Sequence, residues 1–303
     1  FQSLAIGHAD ETTVVVNKDD RPAGAKSYMW VYTTEPGNGD HPVILYDYQK
    51  GRSGEYPSEF LKDFHGILVT DGYQVYHTLE NMRNDLTIAG CWAHAYRKVA
   101  DIVKALGKEE AKGTLAQFGV NQISLIFSFD RKYKDLPPHE RLTQRKMYIA
   151  PLVDVFLSWA KAKLGTQKAL PKSPTGKALQ YFINQEKYLR VFLTDGRVPL
   201  DNSMAERSIR PFVTGRKNWQ VIDTIRGAEA SATVYSIAET AKANQLKPRE
   251  YFEYLLKELP KRINQPVDQK DPKKQELFLD DLLPWSKSLP ETCRKAAPPK
   301  TEA

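Results

Sequence analysis

Residues 66–73 read Gly66-Ile67-Leu68-Val69-Thr70-Asp71-Gly72-Tyr73, a compact apolar run that stops abruptly at an acid and a turn. An unbroken apolar run of this length is the pattern of a strand buried on both faces. Open α/β sheets usually place their chemistry at the carboxyl ends of such strands, which is where Asp71 stands. Upstream, residues 4–16 form a strand pattern rich in β-branched side chains, with Asp10 and Glu11 in its middle. Charge there is costly in a central strand. Residues 27–34 and 42–48 are two further strands joined by the turn sequence at 35–40, so the three predict an antiparallel meander. Helix patterns at 57–64 and 74–82 and a short strand at 86–90 complete a β-β-β-α-β-α-β order, which predicts an α/β fold.

Beyond residue 95 the strand signal fades. Residues 100–106, 115–133, 142–164 and 177–192 carry apolar side chains at three- and four-residue spacing. Pro151 inside the third of these predicts a kink or break. Residues 228–243 form an amphipathic helix pattern with Val234, Ile237 and Ala241 on one face, and 248–259 form another that Pro260 should end. From Lys261 the chain is charged and Pro-rich, apart from an island at 277–285 that reads as a docking clip. The last dozen residues have the composition of a disordered tail.

The chain has 303 residues, 41% of them hydrophobic and 27% charged, and it shows no apolar run long enough to span a bilayer. Those values fit a globular protein with a full core. Its 44 basic against 37 acidic residues give a net charge of +7, a moderate bias toward a polyanionic partner. The two cysteines, Cys91 and Cys293, stand too far apart in unlike contexts to suggest a disulfide. A reducing cytoplasm fits them best.

The densest polar stretch is 198–219, where Ser203 precedes Glu206 by three residues and Arg207, Arg210, Arg216 and Lys217 follow. Two readings of Glu206 are open. In one it closes a capping box with Ser203; in the other it is a metal-binding carboxylate flanked by cations that grip phosphates. Asp201 reads as a helix N-cap. Asp10, Asp71 and Glu206 are each explicable alone as turn or cap residues. Brought together, they would repel unless a cation lay between them, and an all-oxygen set selects a hard ion such as Mg²⁺ or Mn²⁺. Two such ions suit phosphodiester displacement. Trp219 can serve as a base-stacking platform or as a core residue. The aromatic residues Phe127, Phe129, Phe156 and Trp159 read as core.

The order of several motifs resembles the DDE transposases with an RNase H-like core, and more narrowly the IS-sixty-six (TnpC-type) family. The motifs are 8–12 (His-Ala-Asp-Glu-Thr), 70–73 with Tyr76, and 90–98 (Gly-Cys-Trp-Ala-His-Ala-Tyr-Arg-Lys). They continue through 195–202, 205–211, 215–219, 242–244 and 283–285. The resemblance implies a mixed-sheet RNase H-like core flanked by helices, interrupted by an all-helical insertion and followed by C-terminal helices. On that reading residues 1–96 and 195–262 are the two parts of the core, 97–194 the insertion and 263–303 a partly disordered extension. It implies Asp10, Asp71 and Glu206 as catalytic metal ligands, with Glu11 the rival at the first position. It also implies two Mg²⁺ or Mn²⁺ ions, and hydrolysis and strand transfer at insertion-sequence ends.

DNA contacts are expected from Arg207, Arg210, Arg216 and Lys217, and from His94, Arg97 and Lys98. The partners implied are transposon-end and target DNA and further copies of the chain, with no membrane, in a nucleoid-associated bacterial setting. Full-length family members also carry an N-terminal DNA-binding and multimerising region. This sequence begins without Met and is expected to be a piece of a longer chain. Cys91-x-x-His94 supplies half of a zinc site, and no second histidine pair stands at ligand spacing, so a structural role is the preferred reading. The alternatives to a transposase are a non-catalytic DNA-binding remnant and a structure-directed nuclease on the same fold.

Overall fold

In the computed structural model, residues 1–2, 4–22, 24–34, 41–263 and 279–296 are described. The first strand, β1 (Ile6–Lys18), is also the longest. It is followed by β2 (Lys26–Thr34), β3 (Ile44–Gln49), the short helix α1 (Glu55–Phe60), β4 (Gly66–Thr70), α2 (Gln74–Asn81) and β5 (Leu86–Gly90). The strands hydrogen-bond in the order β3-β2-β1-β4-β5, and a last strand, β6 (Ile222–Thr224), also pairs with β1. The β1–β4 and β4–β5 pairs are parallel and β2–β3 is antiparallel. This is a mixed sheet flanked by helices, consistent with an RNase H-like core. The turn expected at 35–40 lies outside the described residues.

The chain packs as two compact units, residues 1–10 with 52–207, and residues 11–51 with 208–303. In the first, β4 and β5 lead into α3 (Trp92–Leu106), α4 (Leu115–Lys132), α5 (Pro138–Gln144), α6 (Ala150–Lys163), α7 (Pro174–Asn184) and α8 (Glu186–Leu189). The expected helical block shares its core with the sheet. Ile6, Val69 and Ala89 from the strands belong to the same buried cluster as Ile123, Phe156 and Phe182 from the helices. Trp92 sits at the junction, fully buried, and its indole N–H donates to the Leu189 carbonyl at 2.9 Å. The four aromatic residues read as core divide accordingly: Phe156 is fully buried, while Phe127, Phe129 and Trp159 are partly buried against the same cluster.

The interruption expected at Pro151 takes the form of one π-helical turn, Arg145–Ile149, between α5 and α6, with Pro151 in the first turn of α6. Proline lacks an N–H and crowds the carbonyl four residues back, and the wider π turn absorbs that misfit. The helix expected at 177–192 ends instead at Asn184, and α8 and a 3-10 turn (Val191–Leu193) follow. The break lets Leu189 and Phe192 both bury their side chains.

The second unit holds β2, β3, the later part of β1, and the helices α9 (Ser203–Trp219), α10 (Ile225–Ala243) and α11 (Pro248–Ile263), although α9 begins in the first unit. The face expected to bury α10 is used in part: Ala241 is fully buried and Ile237 packs against its cluster, whereas Val234 is exposed, and a second stripe carrying Ala228 and Ala232 is buried as well. The reason is the sheet edge. Ala228, Ala232, Ser236 and Thr240 recur every four residues along one stripe, and the two hydroxyls bond edge strand β3. Ser236 Oγ accepts from the Tyr46 amide at 2.7 Å, and Thr240 Oγ1 accepts from the Ile44 amide at 3.0 Å and donates to its carbonyl at 2.8 Å. A helix thereby satisfies backbone groups that would otherwise invite another strand.

Pro260 does not end α11, which runs on to Ile263. Its missing N–H falls in the last turn, where little helix remains to be disrupted. Within the expected clip, Leu282 is buried, and its carbonyl accepts from the Tyr251 hydroxyl at 2.6 Å. Trp285 stacks on His41 at 5.1 Å. The rest of the clip, 277–278, and the last residues of the expected tail, 297–303, lie outside the described residues.

Arg145, fully buried in the π turn, holds the path into α9. Its guanidinium donates to Asp130 at 2.6 Å and to the carbonyls of Phe192 at 2.9 Å and Val198 at 2.8 Å. Removing one partner of a buried pair typically costs 3–5 kcal/mol, and Arg141 would still neutralise Asp130. Arg145→Met should therefore lower unfolding stability by about 3 kcal/mol, read as a reduced denaturant midpoint at unchanged m value.

Candidate active site

Parallel pairing sets His8 opposite Val69 and Val69 opposite Ala89. Two residues further along the same three segments come Asp10, Asp71 and Cys91. Side chains two apart on a strand share a face, and neighbouring strands lie ~4.8 Å apart. The register therefore lines up Asp10, Asp71 and Cys91 at one level, at the carboxyl ends of β4 and β5 and beside them on β1. Asp71 ends β4 in an Asx turn, its carboxylate accepting from the Tyr73 amide at 2.9 Å. Cys91 keeps extended backbone and opens α3.

α9 starts at this level because Asn202 fixes it there. The Asn202 side chain is fully buried. Its carbonyl accepts from His8 Nδ1 at 2.9 Å, and its amide donates to the Ala9 carbonyl at 2.8 Å. These two bonds require the proton of His8 to be on Nδ1. The Asn202 backbone N–H donates to Cys91 Sγ at 3.2 Å. Burial pushes the Cys91 thiol up to about 12, against hydrogen bonds from the amides of Asn202 and His94. Asp201 serves the helix start as expected, accepting from the Ser203 amide at 2.9 Å.

One turn after Asn202 comes Glu206, and its amide makes the ordinary helical bond to the Asn202 carbonyl at 3.1 Å. The capping box is not what engages its side chain. Arg97 of α3 forms an ion pair with the Glu206 carboxylate, and His94 Nδ1 lies 3.8 Å from the same oxygen. Burial and the Arg97 charge lower the His94 pKa, against the pull of Asp71 and Glu206, so the imidazole is neutral near pH 7. Burial also opposes the Arg97 charge, but the bond to Glu206 and the fields of Glu206, Cys91 and Asp10 outweigh it and raise the Arg97 pKa. All three acids thus act on one His–Arg pair. Glu11, by contrast, is felt at the Tyr32 hydroxyl, which burial, Asp47 and Glu11 together push well up.

The expected cations divide by surroundings. Arg207, Arg210 and Lys217 are exposed on α9. Arg216 is half-buried and committed to β1, donating to Thr12 Oγ1 at 3.0 Å and to the Thr13 carbonyl. Trp219 packs with the cluster around Phe212, 5.4 Å ring to ring. Lys98 is exposed, its ammonium 5.0 Å over the Tyr181 ring. Tyr181 of α7 was not singled out from the sequence, yet a side chain at Gly72 would meet its hydroxyl at 2.9 Å. His8 and Asn202 were also missed as a pair. Both lie inside quoted motifs, but nothing in the sequence joins residues 194 positions apart.

Among the described residues no helix is long and apolar enough to cross a membrane. The model of the family described as "Transposase IS66 family" matches residues 2–230. Three curated relatives come from Sinorhizobium fredii (strain NBRC 101917 / NGR234). The uncharacterized protein y4qI is 30% identical over 258 residues, 82% of this chain and 46% of the relative. The uncharacterized protein y4hP is 28% identical over 291 residues, 92% of this chain and 50% of the relative. For the uncharacterized protein y4jD the values are 28% over 292 residues, 92% and 53%. The chain spans about half the length of these relatives. With the family match covering most of its length, this chain belongs to the IS66 family of transposases.

Proposed function

We propose that the chain carries the catalytic core of a DDE-type DNA transposase, with Asp10, Asp71 and Glu206 as its metal-binding acids. The observation that carries this reading is the strand register. It pairs His8 with Val69, each two residues before one of the proposed acids, while Asn202 ties the helix bearing Glu206 to the residues just before Asp10. The donor set is three carboxylates, which suits Mg²⁺ or Mn²⁺; Glu206 and Asp10 act on Arg97 and Asp71 on His94. When bound, two such ions would activate the attacking oxygen and stabilise the leaving one.

The chain's own residues would do the rest. Asp10 and Asp71 hold their carboxylates at fixed strand positions, and Glu206 completes the set once Arg97 turns away. Arg97, Lys98, Arg207, Arg210 and Lys217 supply cations to DNA phosphates, which position the substrate without reading its sequence. The reaction is hydrolysis at insertion-sequence ends followed by attack of the freed 3′-hydroxyl on target DNA, with no covalent protein–DNA intermediate. The protein would act as a multimer on DNA.

Asp71→Ala and Glu206→Gln should each lower Mg²⁺-dependent nicking of supercoiled plasmid by at least about a hundredfold. Equal activity in both variants and the unaltered chain would sink the assignment. Joining of a 3′-hydroxyl donor end to the plasmid separates a transposase from a nuclease on the same fold. Asn202→Ala tests the scaffold. It removes the side chain that accepts from His8 Nδ1 and donates to the Ala9 carbonyl, so stability should fall by about 2–4 kcal/mol, measured by denaturant unfolding.

A further inference from the structure

Cys91, His94 and Glu206 each offer one ligand atom, and these atoms all lie within 4.8 Å of one another. We propose that they form a binding site for one borderline-soft divalent cation of the zinc class, with water as a fourth ligand. The inference rests on these three side chains alone and goes beyond the assignment of Asp10 and Asp71.

Four observations support it. First, Cys91 is the last extended residue before α3 and His94 lies in the first turn of that helix, so one chain reversal delivers sulfur and nitrogen together. Second, His94 Nδ1 is buried with no hydrogen-bond partner among the described residues, yet lies 3.8 Å from Glu206 Oε1. Ligand atoms ~2.0–2.3 Å from a tetrahedral zinc stand ~3.3–3.7 Å apart, so this pair is already near ligand spacing and the set, within 4.8 Å, closes with a contraction of about 1 Å or less. Third, Cys91 Sγ already accepts a backbone N–H, that of Asn202, at 3.2 Å. A donor there stabilises the thiolate that a bound cation requires. Fourth, the charges close. Thiolate and carboxylate balance a dication, and in its absence Arg97 supplies the cation on Glu206.

On binding, the metal–sulfur bond replaces the S–H bond, the thiol proton passes to solvent, and Arg97 releases Glu206. Thiolate and imidazole favour Zn²⁺ or Co²⁺ over Mg²⁺, so the site is distinct in its choice of ion although it shares a carboxylate with the proposed hard-ion set. A soft ion here would withdraw Glu206 from that set.

Co²⁺ alone serves as the probe, added to the full chain in excess Mg²⁺ and followed by absorption spectroscopy. One equivalent should produce a sulfur-to-cobalt charge-transfer band and the intense visible bands of tetrahedral cobalt. Cys91→Ser should remove the charge-transfer band, Cys293→Ser should keep it, and His94→Ala should weaken cobalt binding by about tenfold or more. No thiolate band, or one that follows Cys293, overturns the proposal. Because Cys91 is buried, circular dichroism accompanies its variant; should that variant not fold, unchanged cobalt affinity in folded His94→Ala overturns the proposal instead. These readouts do not depend on nicking activity, so failure of the transposase reading and failure of the cation site are separable.

Discussion

One buried amide fixes the geometry on which the candidate site depends. Asn202 joins two strands at the point where α9 begins, through His8 and Ala9 on β1 and through Cys91 after β5. A primary amide suits the position because it donates and accepts at once, and the two partners present one acceptor and one donor. Leucine or alanine there could make neither bond, and an aspartate could not donate to the Ala9 carbonyl. The amide also sets a phase. Four residues later the helix has made about one turn, so Glu206 stands above the corner to which Asn202 is tied. The position of the third acid is thereby a consequence of the first residues of the chain.

The helical block contributes by constraint from the other side. Arg145 gathers the carbonyls of Phe192 and Val198 just before α9, and Trp92 links the start of α3 to Leu189. The Tyr181 hydroxyl closes against Gly72, so a larger residue after Asp71 would push the tyrosine away. Helices placed between the second and third acids in sequence thus pack on the sheet as part of the same core. Movement in them would be felt at Asp71, at α3 and at the start of α9.

Much of this was legible in the sequence wherever the signal was local. The apolar run of β4, its terminal Asp71 and the helix after Asp201 are set by composition and turn chemistry over a few residues, and the structure has them where the pattern puts them. The failures have a common cause, which is a partner distant in sequence. Val234 fits an apolar stripe, yet α10 meets β3 through alanines and hydroxyls because an edge strand asks for hydrogen bonds. Arg216 looks like one more phosphate-binding cation until Thr12 and Thr13 claim it. The Cys91–His94 pair lacked a third ligand because Glu206 is supplied from over a hundred residues away.

The Arg97–Glu206 pair then becomes intelligible as a placeholder. Acidic groups gathered at one corner are unfavourable without a counter-charge, and a guanidinium provides one positive charge where a metal would provide two. Two unit charges at 4 Å interact by about 4 kcal/mol at an effective dielectric of 20, but the Arg97 side chain is 48% exposed. Pairs that wet typically contribute only about 0–1 kcal/mol. The contact is therefore strong enough to orient Glu206 and weak enough to yield. A dication attracts the same carboxylate with twice the charge, and phosphate offers the released arginine a bidentate partner. On the proposed function, an exchange of partners, with Glu206 passing from arginine to metal and Arg97 from carboxylate to DNA, would conserve charge pairing at each end and would need no rearrangement of the strands beneath.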